Sequence, residues 1–438
     1  MVEILPLGGL GEVGKNMTVM GFGKECVILD MGIRLDTLLS FEELEVGDVG
    51  REELIARSII PDDTAVRGRK VVGIVISHAH LDHVGAVSKL AGFYKAPVVG
   101  TPYTLEVFKR LKAEERACKV RNRLIPLKPG GRIRLGGIEV EFIHANHSVP
   151  QTVFVLVGKG EKQVLYASDF KLDERPILEP RMDFSRLRRL DNLLAAMVGT
   201  VRLNEQGPIP SESWVAGELR RVLAEAHEAG KGVVITTFSS HLARIKSIVE
   251  ISLALGRRPV IVGRSLWEYL SAGMRLGILR LPEEVRIGRR VRSSKSLLRK
   301  VAREREEYVL ICTGHQGEPN SVLSLLAEDR LPYRLERGDS VIFSSSVIPH
   351  PINQANRELL ETKLQLKGAR IYREVHASGH AGRTETMEFL RLINPSHVVP
   401  CHGTEDRLRI LAELAKGLGY SGSQIHLTSN GVPVEVEW

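Results

Sequence analysis

The chain has 438 residues, too many for one ordinary hydrophobic core, so its length implies at least two domains. Apolar residues make up 43% and charged residues 26%, which excludes a disordered chain, and no apolar run approaches membrane-spanning length. A net charge of +8 is only a weak bias toward polyanions.

The amino terminus, Met1-Val2-Glu3-Ile4-Leu5-Pro6-Leu7, lacks the basic start and long apolar stretch of a signal peptide. Cys26, Cys118, Cys312 and Cys401 stand apart with no C-x-x-C pair. That pattern suits reduced, buried thiols in a cytoplasmic protein. In chain order, β-branched apolar runs predict strands at 25–30, 71–77, 97–100, 138–143 and 164–169. Several end in residues able to bind metal or carry protons. The run at 71–76 leads into Ser77-His78-Ala79-His80-Leu81-Asp82-His83, beside a helix suggested by 84–90. Alternation on extended backbone lets His78 and His80 point to one side, with Asp82 and His83 at the helix entry. Four such ligands cannot surround one tetrahedral ion and leave an open position, so the motif reads as one side of a two-metal hydrolytic centre. The bland alternative is a polar surface loop.

From about residue 191 the rhythm changes to strand and helix in alternation: strands at 232–238, 258–263, 308–312 and 340–343, with helices at 241–255 and from 264. Ser239-Ser240 is placed to cap the first of these helices. This is the grammar of a parallel sheet with crossover helices. After Pro351 come strands at 370–375 and 397–400, and the last resumes the habit of ending at histidine. The expected organisation is a metal-binding domain in two pieces, 1–190 and 352–438, around an insert at 191–351. Further residues follow apolar strands: His147, Asp169, His380 and His402. Each alone reads as a capped strand end, but their shared placement argues for a common site. Asp30, ending its strand, reads as an outer carboxylate that orients a ligand imidazole.

These segments resemble the metallo-β-lactamase superfamily, in its nucleic-acid-processing beta-CASP branch. Beyond the histidine motif, the likeness is carried by 7–16 at the start, Thr313-Gly314-His315-Gln316-Gly317-Glu318-Pro319, Phe343-Ser344-Ser345-Ser346-Val347-Ile348-Pro349 and the two late histidine loops. They are similar to the ribonuclease J family, in its archaeal form without an extra carboxyl-terminal domain. The resemblance implies an α/β fold, an αββα sandwich with an inserted beta-CASP α/β domain. It assigns one metal to His78, His80 and His147, a second to Asp82, His83 and His402, and Asp169 as the bridge. The ions would be zinc, with manganese accepted by the same ligands. His380 would touch the scissile phosphate and protonate the leaving oxygen, and Ser240 and Ser378 would line a pocket for a 5′-phosphate. A helix cap is the alternative reading of either serine.

The implied activity is 5′-to-3′ hydrolysis of single-stranded RNA with preference for a 5′-monophosphate. An endoribonuclease of the cleavage-factor type is the alternative, as is an RNA-binding protein of weakened activity. Hydrolysis of a small thioester or lactam fits the first motif but not the long insert. No membrane partner is implied, and a homodimer is left open. One departure stands out: relatives carry Asp or Glu where this chain aligns Gly199. Either activity is weakened, so that Gly199→Glu raises turnover, or a nearby carboxylate such as Glu205 takes the role. The basic stretch 286–305 either tracks an RNA backbone or is a solvated helix face, since Glu304, Glu306 and Glu307 accompany it.

Overall fold

Strands whose side chains alternate between two apolar faces need cover on both, and this requirement organises the early part of the chain. The computed structural model describes residues 1–35, 49–114, 120–190, 192–348 and 350–437. β1 (Val2–Gly8), β2 (Met17–Phe22), β3 (Glu25–Leu29), β4 (Lys70–Ile76), β5 (Val98–Gly100) and β6 (Leu124–Pro126) lie in that order in one sheet. Val27 and Leu29 of β3 enter one core, while Cys26 and Ile28 enter another. β7 (Arg132–Leu135), β8 (Ile138–His144), β9 (Val153–Lys159), β10 (Lys162–Ala167) and β11 (Leu193–Gly199) form a second sheet.

The two sheets share a core in which Val27, Leu29 and Val75 meet Val140, Phe142 and Met197. Helices cover the outer faces. Pro102–Glu114 supplies Leu105 and Phe108 to the first, and Arg383–Ile393 supplies Phe389 and Leu390 to the second. Each such side chain, fully buried, stabilises the fold by about 1.5–3 kcal/mol. The result is an αββα sandwich.

β12 (Val233–Thr237), β13 (Arg258–Val262), β14 (Arg286–Gly288), β15 (Tyr308–Cys312), β16 (Ser340–Ser344) and β17 (Arg370–Tyr372) form a separate sheet in the order β14-β13-β15-β12-β16-β17, parallel throughout. Fully buried Arg244 ties its carboxyl edge together. Its guanidinium donates to both oxygens of Glu212, at 3.0 and 2.8 Å, and to the carbonyl and hydroxyl of Ser344, at 3.1 and 2.9 Å. β18 (His397–Cys401) then pairs with β11, and β19 (Val434–Val436) with β1.

Two compact units result: Met1–Leu172 with Arg181–Ile209 and Gly379–Trp438, and Asp173–Pro180 with Pro210–Ser378. These divisions differ from the borders expected at 191 and 351. β11 belongs to the sandwich because β10 and β18 flank it, and β17 follows residue 351 yet pairs with β16. Cys26, Cys312 and Cys401 are buried and unpaired, and Cys118 and Pro349 lie outside the described residues. Among the described residues, no helix is long and apolar enough to cross a membrane.

Candidate metal centre

Every predicted member of the metal site emerges where a sandwich strand has just ended. β4 stops at Ile76, and Ser77–His80 continue into a short helix, Leu81–Val84, whose first turn carries Asp82 and His83. His147 follows β8, Asp169 follows β10, and His402 directly succeeds β18. His380 sits in the turn before Arg383–Ile393. The first unit brings all eight together.

Asp169 is the centre. Its Oδ2 lies 3.5 Å from His78 Nε2, 3.4 Å from His147 Nε2 and 3.1 Å from His380 Nε2. Its Oδ1 lies 3.5 Å from His83 Nε2 and 3.3 Å from His402 Nε2. Asp82 Oδ2 joins the second group, 3.5 Å from His83 Nε2 and 3.4 Å from His402 Nε2. His80 joins the first, with Nδ1 3.2 Å from His78 Nε2 and 3.1 Å from His147 Nε2. Ligand atoms of His78, His80, His147 and Asp169 lie within 4.8 Å of one another, as do those of Asp82, His83 and His402. Those of Asp169, His380 and His402 do so as well.

This donor set suits divalent cations. Asp169 Oδ1 is buried and accepts no hydrogen bond, a costly state for a carboxylate oxygen unless a cation faces it. His80 Nδ1 meets two other ring nitrogens, and one proton cannot satisfy three converging lone pairs. Imidazole nitrogen with carboxylate oxygen is a set that borderline metals take readily.

Electrostatics point the same way. Burial, reinforced by neighbouring imidazoles, drives His78 and His80 well below the ordinary histidine value and His147 down to about 3, so all three are neutral, as ligands must be. Burial opposes a charge on His83 too, yet Asp169, Asp82 and Asp30 outweigh it and hold that imidazole up at about 10. Burial likewise opposes ionisation of Asp169, but His402, His83 and His380 keep its carboxyl well below the usual range. The carboxylates thus draw positive charge to the spot.

Asp30 takes the outer position expected of it. Fully buried and left-handed (φ 59°), it accepts from Ser77 N at 2.7 Å, Ser77 Oγ at 2.8 Å and His83 Nδ1 at 2.7 Å. Sequence reasoning missed several supports. Ser77 Oγ also meets His78 Nδ1 at 2.9 Å, Asn16 Nδ2 donates to the Asp82 carbonyl at 3.1 Å, and His147 Nδ1 donates to the Gly379 carbonyl at 2.5 Å. Ser77 was legible as a neighbour of the motif. Asn16 and Gly379 reach the site only through the fold. Thr200 is a fourth: its hydroxyl donates to the carbonyls of Cys401 at 3.1 Å and His402 at 3.3 Å.

At Gly199 a Cβ would lie 1.6 Å from the Ser168 carbonyl oxygen, so a carboxylate side chain at this position would require the backbone to shift. Glu205 does not fill the role either, since it is turned to Arg202 at 2.6 Å. The carboxylate beside His380 is Asp169 itself. Ser240 and Ser378 are both buried and belong to the second unit. Ser240 is not the cap expected of it: His241 caps Leu242–Ala254, its Nδ1 accepting from Arg244 N at 3.4 Å.

Fold and site together define a metallo-β-lactamase domain carrying an inserted beta-CASP domain. Family models match in the corresponding order: a beta-lactamase superfamily domain over 53–200, the ribonuclease J beta-CASP domain over 230–360, and a Zn-dependent metallo-hydrolase RNA specificity domain over 368–427. The chain belongs to the ribonuclease J family. It is 40% identical to ribonuclease J of Methanocaldococcus jannaschii over 98% of both chains. To that of Pyrococcus abyssi it is 39% identical, over 100% of this chain and 97% of the relative. A crystal structure of a protein of unknown function from Enterococcus faecalis V583 shares the fold, with TM-score 0.69 and 16% identity over 100% of both chains.

Proposed function

We propose that the chain is a metal-dependent ribonuclease that removes nucleotides from the 5′ end of single-stranded RNA, with preference for a 5′-monophosphate. The observation that carries the reading is the convergence of two donor groups on the two oxygens of Asp169. Relatives that are ribonucleases J and the RNA specificity model over 368–427 support RNA as substrate. His78, His80 and His147 would hold one ion and Asp82, His83 and His402 the other, with Asp169 shared. Zinc is the ion proposed, with manganese as the substitute. When bound, such a pair supplies Lewis acidity at a phosphate and a water of lowered pKa.

The chain's own residues do the rest. Asp30, by accepting from Nδ1 of His83, leaves Nε2 of that ring as the lone-pair nitrogen. The Gly379 carbonyl does the same for His147. His380 is assigned to the scissile phosphate, where an imidazole can hand a proton to the departing oxygen. Ser240 and Ser378 are assigned to the 5′-phosphate. Cytoplasmic RNA is the expected substrate pool.

The test uses one RNA in four forms, 5′-monophosphate, 5′-triphosphate, 5′-hydroxyl and circular, each with zinc or manganese, beside an Asp82→Ala, His83→Ala control. Mononucleotides released chiefly from the monophosphate form, with the circle intact, are expected. Internal fragments from the circle would replace this reading with an endonuclease. Silence on all four with ions bound would replace it with an RNA-binding protein.

A further inference from the structure

The helix Val291–Arg303 in the second unit buries one face only. Leu298 and Val301 pack into the core with Val260 and Leu310, while Arg292, Lys295, Arg299 and Arg303 are exposed on the other side. Intervals of three and four residues align these four cations along the helix, in a stripe about 16 Å long at about 1.5 Å per residue. Their spacing is comparable to that of successive phosphates in an extended strand.

Two observations distinguish the stripe from an ordinary solvated face. Of the three acids that follow it, Glu304 and Glu307 are both turned to Arg258 rather than to the stripe. Among the described residues, none of the four cations pairs with a carboxylate. Three residues before the stripe, the exposed Arg289 guanidinium stacks over the half-buried Trp267 ring, 4.7 Å from its centroid. A guanidinium over an aromatic ring forms a cation–π pair, and nucleobases stack on arginine and aromatic side chains alike. A row of exposed charges beside a cation–aromatic pair fits a nucleic-acid strand better than a membrane, which would call for an apolar insertion face.

We propose that this stripe, with Arg289 at its head, is an RNA-contact surface on the second unit that holds the phosphodiester backbone of single-stranded RNA. The proposal rests on the reading of the chain as an RNA hydrolase, but its test does not depend on turnover. Binding of a 30-nucleotide and a 4-nucleotide RNA is measured in chelator over 50–200 mM salt, for the wild type and for Arg292→Gln/Lys295→Gln/Arg299→Gln/Arg303→Gln. Each single-strand phosphate contact contributes about 0.7 to the slope of log affinity against log salt. The fourfold variant is therefore expected to flatten the slope by about 2.8 for the long RNA, so that the wild type's advantage shrinks about 50-fold across that range. A tetranucleotide, long enough to span the stripe, is expected to lose salt dependence as the long RNA does, whereas hydrolysis of a small chromogenic phosphodiester is expected to stay within twofold of wild type. Arg299→Gln/Arg303→Gln, the milder variant, is expected to flatten the slope by about 1.4. An unchanged slope for the long RNA in either folded variant would overturn the proposal. So would polyglutamate or anionic vesicles binding as tightly as RNA and losing as much. Failure of the four-RNA assay would remove the catalytic reading and leave these slopes to decide the surface.

Discussion

Asp30→Asn is the sharpest perturbation of the proposed centre, because it exchanges one carboxylate oxygen for an NH2 group and removes one negative charge with almost no change in volume. Asparagine tolerates the left-handed backbone at this position, so strain is not the cause of any effect. In the wild type, one oxygen accepts from Ser77 N, and the other from Ser77 Oγ and His83 Nδ1. An amide has one acceptor atom and one donor atom, so whichever way it turns, its NH2 faces another donor. If it faces His83, the ring must shift its proton to Nε2, the atom aimed at Asp82 and Asp169, and that nitrogen can no longer ligate. Outer-shell changes of this type lower metal affinity about 10–100-fold, which is about 1.4–2.7 kcal/mol. If it faces Ser77 N, a buried donor is left unpaired at a cost of about 1–3 kcal/mol to the apo fold. The assay is a chelator-competition titration of bound zinc, paired with urea unfolding of the metal-free protein. One ion per chain is expected to bind more weakly, or the apo protein to lose stability. A variant with wild-type affinity for both ions and wild-type apo stability would refute the reasoning.

Thr200→Val keeps the side-chain shape and the Thr200 N–H bond to the His402 carbonyl but removes the hydroxyl's bonds to the carbonyls of Cys401 and the left-handed His402 (φ 49°); a loss of about 0.5–1.5 kcal/mol and weaker binding of one ion are expected, with Thr200→Ser restoring both. Gly199→Ala is expected to cost about 1–3 kcal/mol or more by forcing Cβ onto the Ser168 carbonyl, and Gly199→Glu to lower turnover, read by thermal unfolding and RNA decay. Burial opposes ionisation of Glu212, but Arg244 and His241 hold its carboxyl well below the ordinary 4.5. The group's contribution is therefore complete above that value and fades as pH falls beneath it. Glu212→Gln should cost about 3–5 kcal/mol at pH 7, and the gap in urea unfolding should narrow under acid. Chelation should destabilise the sandwich, by about 4 kcal/mol per site relative to protein in zinc at a thousand times its dissociation constant.

What the sequence disclosed was whatever depends on near neighbours. The parallel sheet was legible because 233–237, 258–262 and 308–312 each carry a β-branched or apolar run and are separated by helical stretches. The His78–His83 cluster was legible because its ligands share one loop, and Asp30 because it closes an apolar strand. β1, β2 and β9 gave weaker signals, and their place comes from pairing across the sheet. The helix start at 242 was misjudged by one residue, since the imidazole of His241 accepts the bond that a serine usually would. The crowding at Gly199 was not legible in the sequence, because it depends on the distance to Ser168, a residue on a different segment.

The pairing of β11 with β18 carries a consequence for biosynthesis. His402 follows β18, so the ligand set stays incomplete until the ribosome has passed the whole second unit and the strand after it. At about 5–20 residues per second, that leaves a nascent chain many seconds in which His78–His83 are made but no second group can assemble. Residues 210–378 are contiguous and can condense during that interval, whereas the sandwich must wait for its returning strand. The protein would thus emerge beside its own messenger with a hydrolytic centre that closes only after the message has been read past the codon for His402.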